Sequence, residues 1–159
     1  MDGKVKAVPD GYHTATAYLH VKGAVKAIEY YKKAFGAIEV GRINMAGGKL
    51  GHAELRIGDS SIMLADENPQ WGNKGPDTLG GTSVGIHLYV PDVDAVFKQA
   101  VDAGGKVAMP VQDMFYGDRF GTVTDPFGHQ WHIATHKEDV SWPEMQKRAD
   151  NMFKEHKPA

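Results

Sequence analysis

Residues 118–136 read DRFGTVTDPFGHQWHIATH and place His129, His132 and His136 within eight positions, just after a glycine. Imidazole is the commonest side-chain ligand for zinc and other transition metals. On a helix, the i, i+3, i+7 spacing would align all three rings on one face and make a zinc or iron grip. On a strand it would not, because successive side chains alternate between faces. The flanks decide between these. Asp125-Pro126-Phe127-Gly128 is turn chemistry, with proline presetting φ and glycine supplying the permissive position. The run that follows, HQWHIATH, is rich in strand formers. His132, Ala134 and His136 then share one strand face and His129 stays at the turn, so the three do not converge by themselves.

The elements that must position these residues occur twice. TATAYLHV (14–21) reads as a strand, followed by a helical stripe of Val25, Ile28, Tyr31 and Phe35 that Gly36 closes. TSVGIHLYV (82–90) and a stripe of Val93, Val96, Phe97 and Ala100, closed by Gly104 and Gly105, repeat the design. Leu19 and Val21 recur as Leu88 and Val90, an offset of 69, and the same offset carries Ile62, Met63 and Leu64 onto Trp131, His132 and Ile133. Three strand-like runs follow each helix: about 37–45, 49–57 and 61–65, then about 106–112, 117–124 and 130–136. The expected fold is α+β: βαβββ modules at 12–65 and 82–136, a Gly-, Pro- and Asn-rich linker at 66–81, and a C-terminal helix at 141–156. The modules form a curved mixed sheet with a cleft, and the whole chain reads as a single domain.

Composition narrows the partners. The 159 residues are 42% hydrophobic, enough for one well-buried domain, and 18 basic against 20 acidic residues leave a net charge of −2 with no basic block. Nucleic acid and anionic membrane are therefore not expected partners. The absence of cysteine excludes disulfides, thiolate metal sites and a cysteine nucleophile. The sequence has no apolar leader and no run as long as a membrane span, and it reads as cytoplasmic.

The paired modules, together with HAELRIGDSSIMLADE, HLYVPDVDAVF and FYGDRFGTVTDPFGHQWHIATHKEDVS, resemble the vicinal oxygen chelate superfamily over roughly residues 12–140. That superfamily includes glyoxalase I, bleomycin-resistance proteins and extradiol dioxygenases. These stretches look like a bacterial glyoxalase/bleomycin-resistance-like branch of it. The resemblance implies a divalent metal held by His or Glu on the first and last strands of both modules. Those positions fall on Thr16, Met63, Gly85 and His132, of which only His132 is a good ligand.

Two readings follow. The first is a metal-free cleft that binds an amphipathic or anionic small molecule through His52, Glu54, His87, Tyr116, Arg119 and His132, with no cofactor. The second is a metal-dependent lyase, isomerase or dioxygenase with a displaced zinc, nickel, iron or manganese site. In it Glu54 is the catalytic base, His132 the ligand or acid, and Arg119 orients an anionic substrate. An Asp118–Arg119 pair bracing the FYGDRFG corner is the structural alternative for Arg119. His136 reads as a strand-end residue satisfied by backbone or by the tail's acids, and Phe115, Tyr116 and Trp71 as pocket walls or anchors. In the tail, Ser141 and Glu144 have capping-box spacing, and Trp142, Met145, Ala149, Met152 and Phe153 share one helical face. That face is expected to serve a homodimer or to cover the cleft.

Overall fold

The computed structural model describes residues 5–154. The first module comprises β1 (Ala17–Val21), α1 (Ala24–Phe35), β2 (Ile38–Asn44), β3 (Leu50–Ile57) and β4 (Ser60–Asp66). A short helix, α2 (Pro76–Leu79), lies in the connection to the second module. That module comprises β5 (Gly85–Tyr89), α3 (Val93–Asp102), β6 (Lys106–Asp113), β7 (Asp118–Thr124) and β8 (Gln130–His136), and α4 (Trp142–Lys154) follows. The mixed sheet comes as two four-stranded halves, ordered β1-β4-β3-β2 and β5-β8-β7-β6. In each, the first strand runs parallel to the last and the other pairings are antiparallel. Residues 155 and 156 of the expected tail helix lie outside the described residues.

The repeat is exact in register where it matters. Tyr18 pairs with Met63 across β1 and β4, and His87 pairs with His132 across β5 and β8. Alternation along these strands sends Leu19, Val21, Ile62 and Leu64 inward beneath α1, while Trp131 and Ile133 turn inward in the second module. Trp131, Ile133, Leu64 and Val21 are fully buried, each contributing about 1.5–3 kcal/mol by removal from water. Of the expected α1 stripe, Ile28 and Tyr31 are buried and Phe35 packs against the core, whereas Val25 is 38% exposed and the small Ala24, Ala27 and Ala34 complete the buried face.

Helices α1 and α3 pack together and join the modules; Gln99 Nε2 donates to the Ala34 carbonyl (3.0 Å) and the Tyr30 hydroxyl to that of Ala100 (3.1 Å). The second joint is the buried Asp125 of the 125–128 turn. Its Oδ2 accepts from the Tyr31 hydroxyl (2.7 Å) and Trp131 Nε1 (2.9 Å), and its Oδ1 from the amides of Phe127 and His129. Gly128 turns at φ 93°, as the sequence requires. Each sheet keeps one face away from its helix, called here its open face. Segment 7–16 lies over that of the first module, and α4 over that of the second.

Candidate functional site

On the open face of the second module, β5 contributes His87 and Tyr89, β7 Asp118, Phe120 and Thr122, and β8 His132 and His136. All sit at alternate positions of their strands. His132 is oriented by Thr122, whose Oγ1 lies 2.9 Å from Nδ1. Its Nε2 points to Gly85, where a Cβ would come within 2.2 Å. Gly85 is therefore the seat of the His132 ring. Phe120 stacks on both His132 and His87, with centroids at 5.6 and 5.8 Å. Partial burial and the neighbouring His132 lower the pKa of His87, with Asp118 opposing.

The other end of this face is a hydrogen-bonded chain. The Tyr89 hydroxyl donates to Asp118 Oδ2 (2.8 Å), His136 Nδ1 lies 2.7 Å from Asp118 Oδ1, and His136 Nε2 lies 2.9 Å from Asp139 Oδ1. The two carboxylates, Asp139 first, raise the pKa of His136 and favour its imidazolium. Its satisfaction by a tail acid is as expected, with Asp118 as an added partner. Over this floor, Phe115 and Tyr116 form a wall, and Trp142, Met145, Gln146 and Ala149 of α4 form a roof. They enclose an open-sided cavity of about 660 Å³. Ser141 caps α4 through its Oγ, which accepts from the Glu144 amide (3.4 Å), and Arg148, braced by Glu144 within the helix, ties α4 to Glu138 and the Phe115 carbonyl.

The first module's open face carries different groups. Tyr18 Oη lies 2.8 Å from His52 Nδ1, and His52 Nε2 lies 3.3 Å from Glu54 Oε1. The neighbouring Tyr12 hydroxyl and then His52 hold Glu54 below the ordinary carboxylate value, while burial and Glu54 push the Tyr12 phenol up to about 12. Thr16, Glu54 and Met63 line a cavity of about 500 Å³ under segment 7–16.

The sequence-derived set is thus divided. His87, Tyr116 and His132 meet at one cavity, and His52 and Glu54 belong to the other module. Arg119 is at neither. Its place on β7 turns it to the helix side, where it forks onto both oxygens of Asp94 (2.8 Å each) and reaches Asp113 (3.2 Å). That corrects both readings of Arg119, as anion clamp and as partner of Asp118. Alternation is the reason: Asp118, with the parity of Phe120 and Thr122, is the residue that faces the cavity. Tyr89, two residues past His87, was legible by the same rule and was missed. Trp71 is 76% exposed and borders another hollow, beside His20 and Met45.

A metal at the superfamily's usual positions does not fit these residues. Thr16 and Met63 offer poor donors, and the space a Gly85 side chain would need is filled by the ring of His132. The displaced set of His52, Glu54, His87 and His132 is not gathered either. Among the described residues, no three His, Asp or Glu side chains are grouped to hold a metal ion.

A family model described as the glyoxalase/bleomycin resistance protein/dioxygenase superfamily matches residues 13–133. An uncharacterized protein of Mycobacterium tuberculosis is 47% identical over 132 residues, covering 81% of this chain and 78% of that one. An uncharacterized Arabidopsis thaliana protein is 34% identical over 119 residues, 70% of each chain. The X-ray structure of that Arabidopsis gene product superposes with a TM-score of 0.63 over 77% of this chain and 98% of its own. A Pseudomonas aeruginosa protein, 24% identical, shares the fold with a TM-score of 0.64 over 80% of this chain and all of its own.

Proposed function

The chain belongs to the glyoxalase/bleomycin resistance protein/dioxygenase superfamily, and we infer that it is a small-molecule-binding member, holding an amphipathic ligand between the second sheet and α4 without a resident metal. The observation that carries this is the cavity of about 660 Å³, whose aromatic walls converge on a few placed polar groups. Tyr89 and Trp142 beside it stay 65% and 82% exposed, a large apolar area for a surface that binds nothing. An anionic ligand loses its support with Arg119 on the other side of the sheet. The poor donor set favours binding without metal. No helix among the described residues is long and apolar enough to cross a membrane.

The same reading includes a homodimer. Phe153 of α4 is 64% exposed, and Ile38, Val40 and Ile43 along the edge strand β2 are 59–66% exposed. Pairing of two copies would cover such surfaces.

The test is a ligand screen by thermal shift, followed by titration of the best compound into chelator-treated protein and into His132→Ala. Chelation should leave affinity unchanged, and His132→Ala should weaken it about tenfold with little change in the melting midpoint of the free protein. Affinity lost on chelation and restored by zinc or nickel would replace this reading with a metal-dependent one. Equal binding by His132→Ala would move the ligand elsewhere.

A further inference from the structure

The ligand of the second-module cavity should be identifiable by charge. Five aromatic side chains border the cavity: Tyr89, Phe115, Tyr116, Phe120 and Trp142. Asp118 and His136 line its polar end, and the charges there are unequal, because Asp118 shares the His136 imidazole (2.7 Å) with the exposed Asp139 outside the lining (2.9 Å). Even fully protonated, His136 leaves that cluster one negative charge in excess. The cations nearby are committed elsewhere. Arg148 is held by Glu138 and Glu144, Lys147 extends to Glu144 and is 72% exposed, and Arg119 is bound to Asp94 and Asp113 behind the sheet.

We propose that this cavity selects an organic cation, an amine or aza-aromatic cation on an apolar body, seated on the aromatic faces with its charge toward Asp118. Aromatic faces are negative at their centres and attract cations, the more strongly when water is excluded. The Asp118 carboxylate is nearly buried, yet each of its oxygens accepts only one hydrogen bond, leaving a lone pair on each for a ligand N–H. Anions meet the same excess charge as repulsion. This inference rests on the ligand-binding reading above, and the two fail differently.

The experiment titrates the full chain with two fluorescent probes of similar size, cationic proflavine and anionic 1-anilinonaphthalene-8-sulfonate. Proflavine should bind at least about tenfold more tightly than the sulfonate, and its affinity should fall as salt is added. Asp139→Asn, at a fully exposed side chain, should weaken proflavine about two- to threefold and leave the sulfonate unchanged or improved. Trp142→Ala, also at an exposed ring, should weaken proflavine about tenfold. Tighter binding of the sulfonate would overturn the charge selectivity while leaving the cavity a ligand site. Proflavine binding indifferent to Asp139→Asn and Trp142→Ala would also overturn it, by placing the cation elsewhere. Failure of both probes to saturate would remove the ligand-binding reading and this inference together.

Discussion

Tyr18 faces Met63 across β1 and β4, and His87 faces His132 at the same point of β5 and β8, 69 residues on. One strand position inward, the modules agree: Leu19 corresponds to Leu88, Val21 to Val90, Leu64 to Ile133. Even the seats of the helix N-termini correspond. Asp66 at the end of β4 accepts the amides of Gly23 and Ala24, and Thr135, the matching residue of β8, accepts that of Val93. The difference lies on the open faces, where the packing of α1 and α3 against the opposite side imposes nothing. There the first module has a polar chain of Tyr18, His52 and Glu54, and the second has stacked aromatic and imidazole rings ending in Asp118. Duplication supplied two scaffolds, and the faces free of core packing became two chemistries.

The modules also differ in how β-hairpins close, and the largest expected effect lies there. Between β3 and β4 the turn is the two residues Gly58 and Asp59, both exposed. Between β7 and β8 it is built around Asp125, which satisfies donors from both modules. Asp125→Ala strands the Tyr31 hydroxyl and Trp131 Nε1 in the core, and an unpaired buried polar group costs about 1–3 kcal/mol. Urea unfolding should show a loss of about 3–5 kcal/mol, against less than about 0.5 kcal/mol for Asp59→Ala. Similar losses for the two would mean that the second turn is not a joint between modules.

Gly85 separates the faces on a smaller scale. A methyl group there meets His132 Nε2 at 2.2 Å, so the ring must swing away from Thr122. Gly85→Ala should cost about 1–2 kcal/mol and shift the His132 ring signals in an NMR spectrum. The register-matched change in the first module is Thr16→Ala, which removes a hydroxyl and adds no bulk. It should leave the melting midpoint within about one degree. Unmoved His132 signals in Gly85→Ala would show that the glycine is not the seat of that ring.

Much of this was legible because it follows from strand period and repeat. The offset of 69 places Met63 and His132 in register, and the turn at Asp125 by itself separates the three histidines. Asp118 and Arg119 show where reading stopped. Both carry charge and both adjoin a strand, and only the exact start of β7 decides which faces the cavity. The partners of Arg119, Asp94 on α3 and Asp113 on β6, are tertiary neighbours that sequence spacing does not reveal. The separation of His52 and Glu54 from His87 and His132 was equally hidden. Periodicity gives the face of each sheet and says nothing of how two sheets are set against each other. Of the α1 stripe, Ile28, Tyr31 and Phe35 pack inward as expected, and Val25 departs because Ala24 and Ala27 take the buried face.

The smallest effect sharpens the comparison by pH. Among the described histidines with a resolved shift, only His136 of the second module is raised, by Asp139 and Asp118. Its contribution to stability is therefore complete below the ordinary imidazole value of 6.5 and is lost as pH rises through its higher folded value. His87, on β5 of the same module, is lowered by burial and by His132, with Asp118 opposing. The unfolded chain then takes up that proton first, and stability is lost as pH falls through 6.5. His20, the first module's open-face counterpart of Tyr89, is lowered by burial and by His129, so it behaves as His87 does. In melting midpoints from about pH 5 to about pH 9, spanning the imidazole range, His136→Gln should lie furthest below the parent protein at the acid end and converge on it at the alkaline end. His87→Gln should do the reverse, gaining on the parent as pH falls. A His136→Gln deficit that widened with rising pH would mean that His136 is neutral between its two carboxylates, and the acid-stabilised clasp assigned to the second module would be absent.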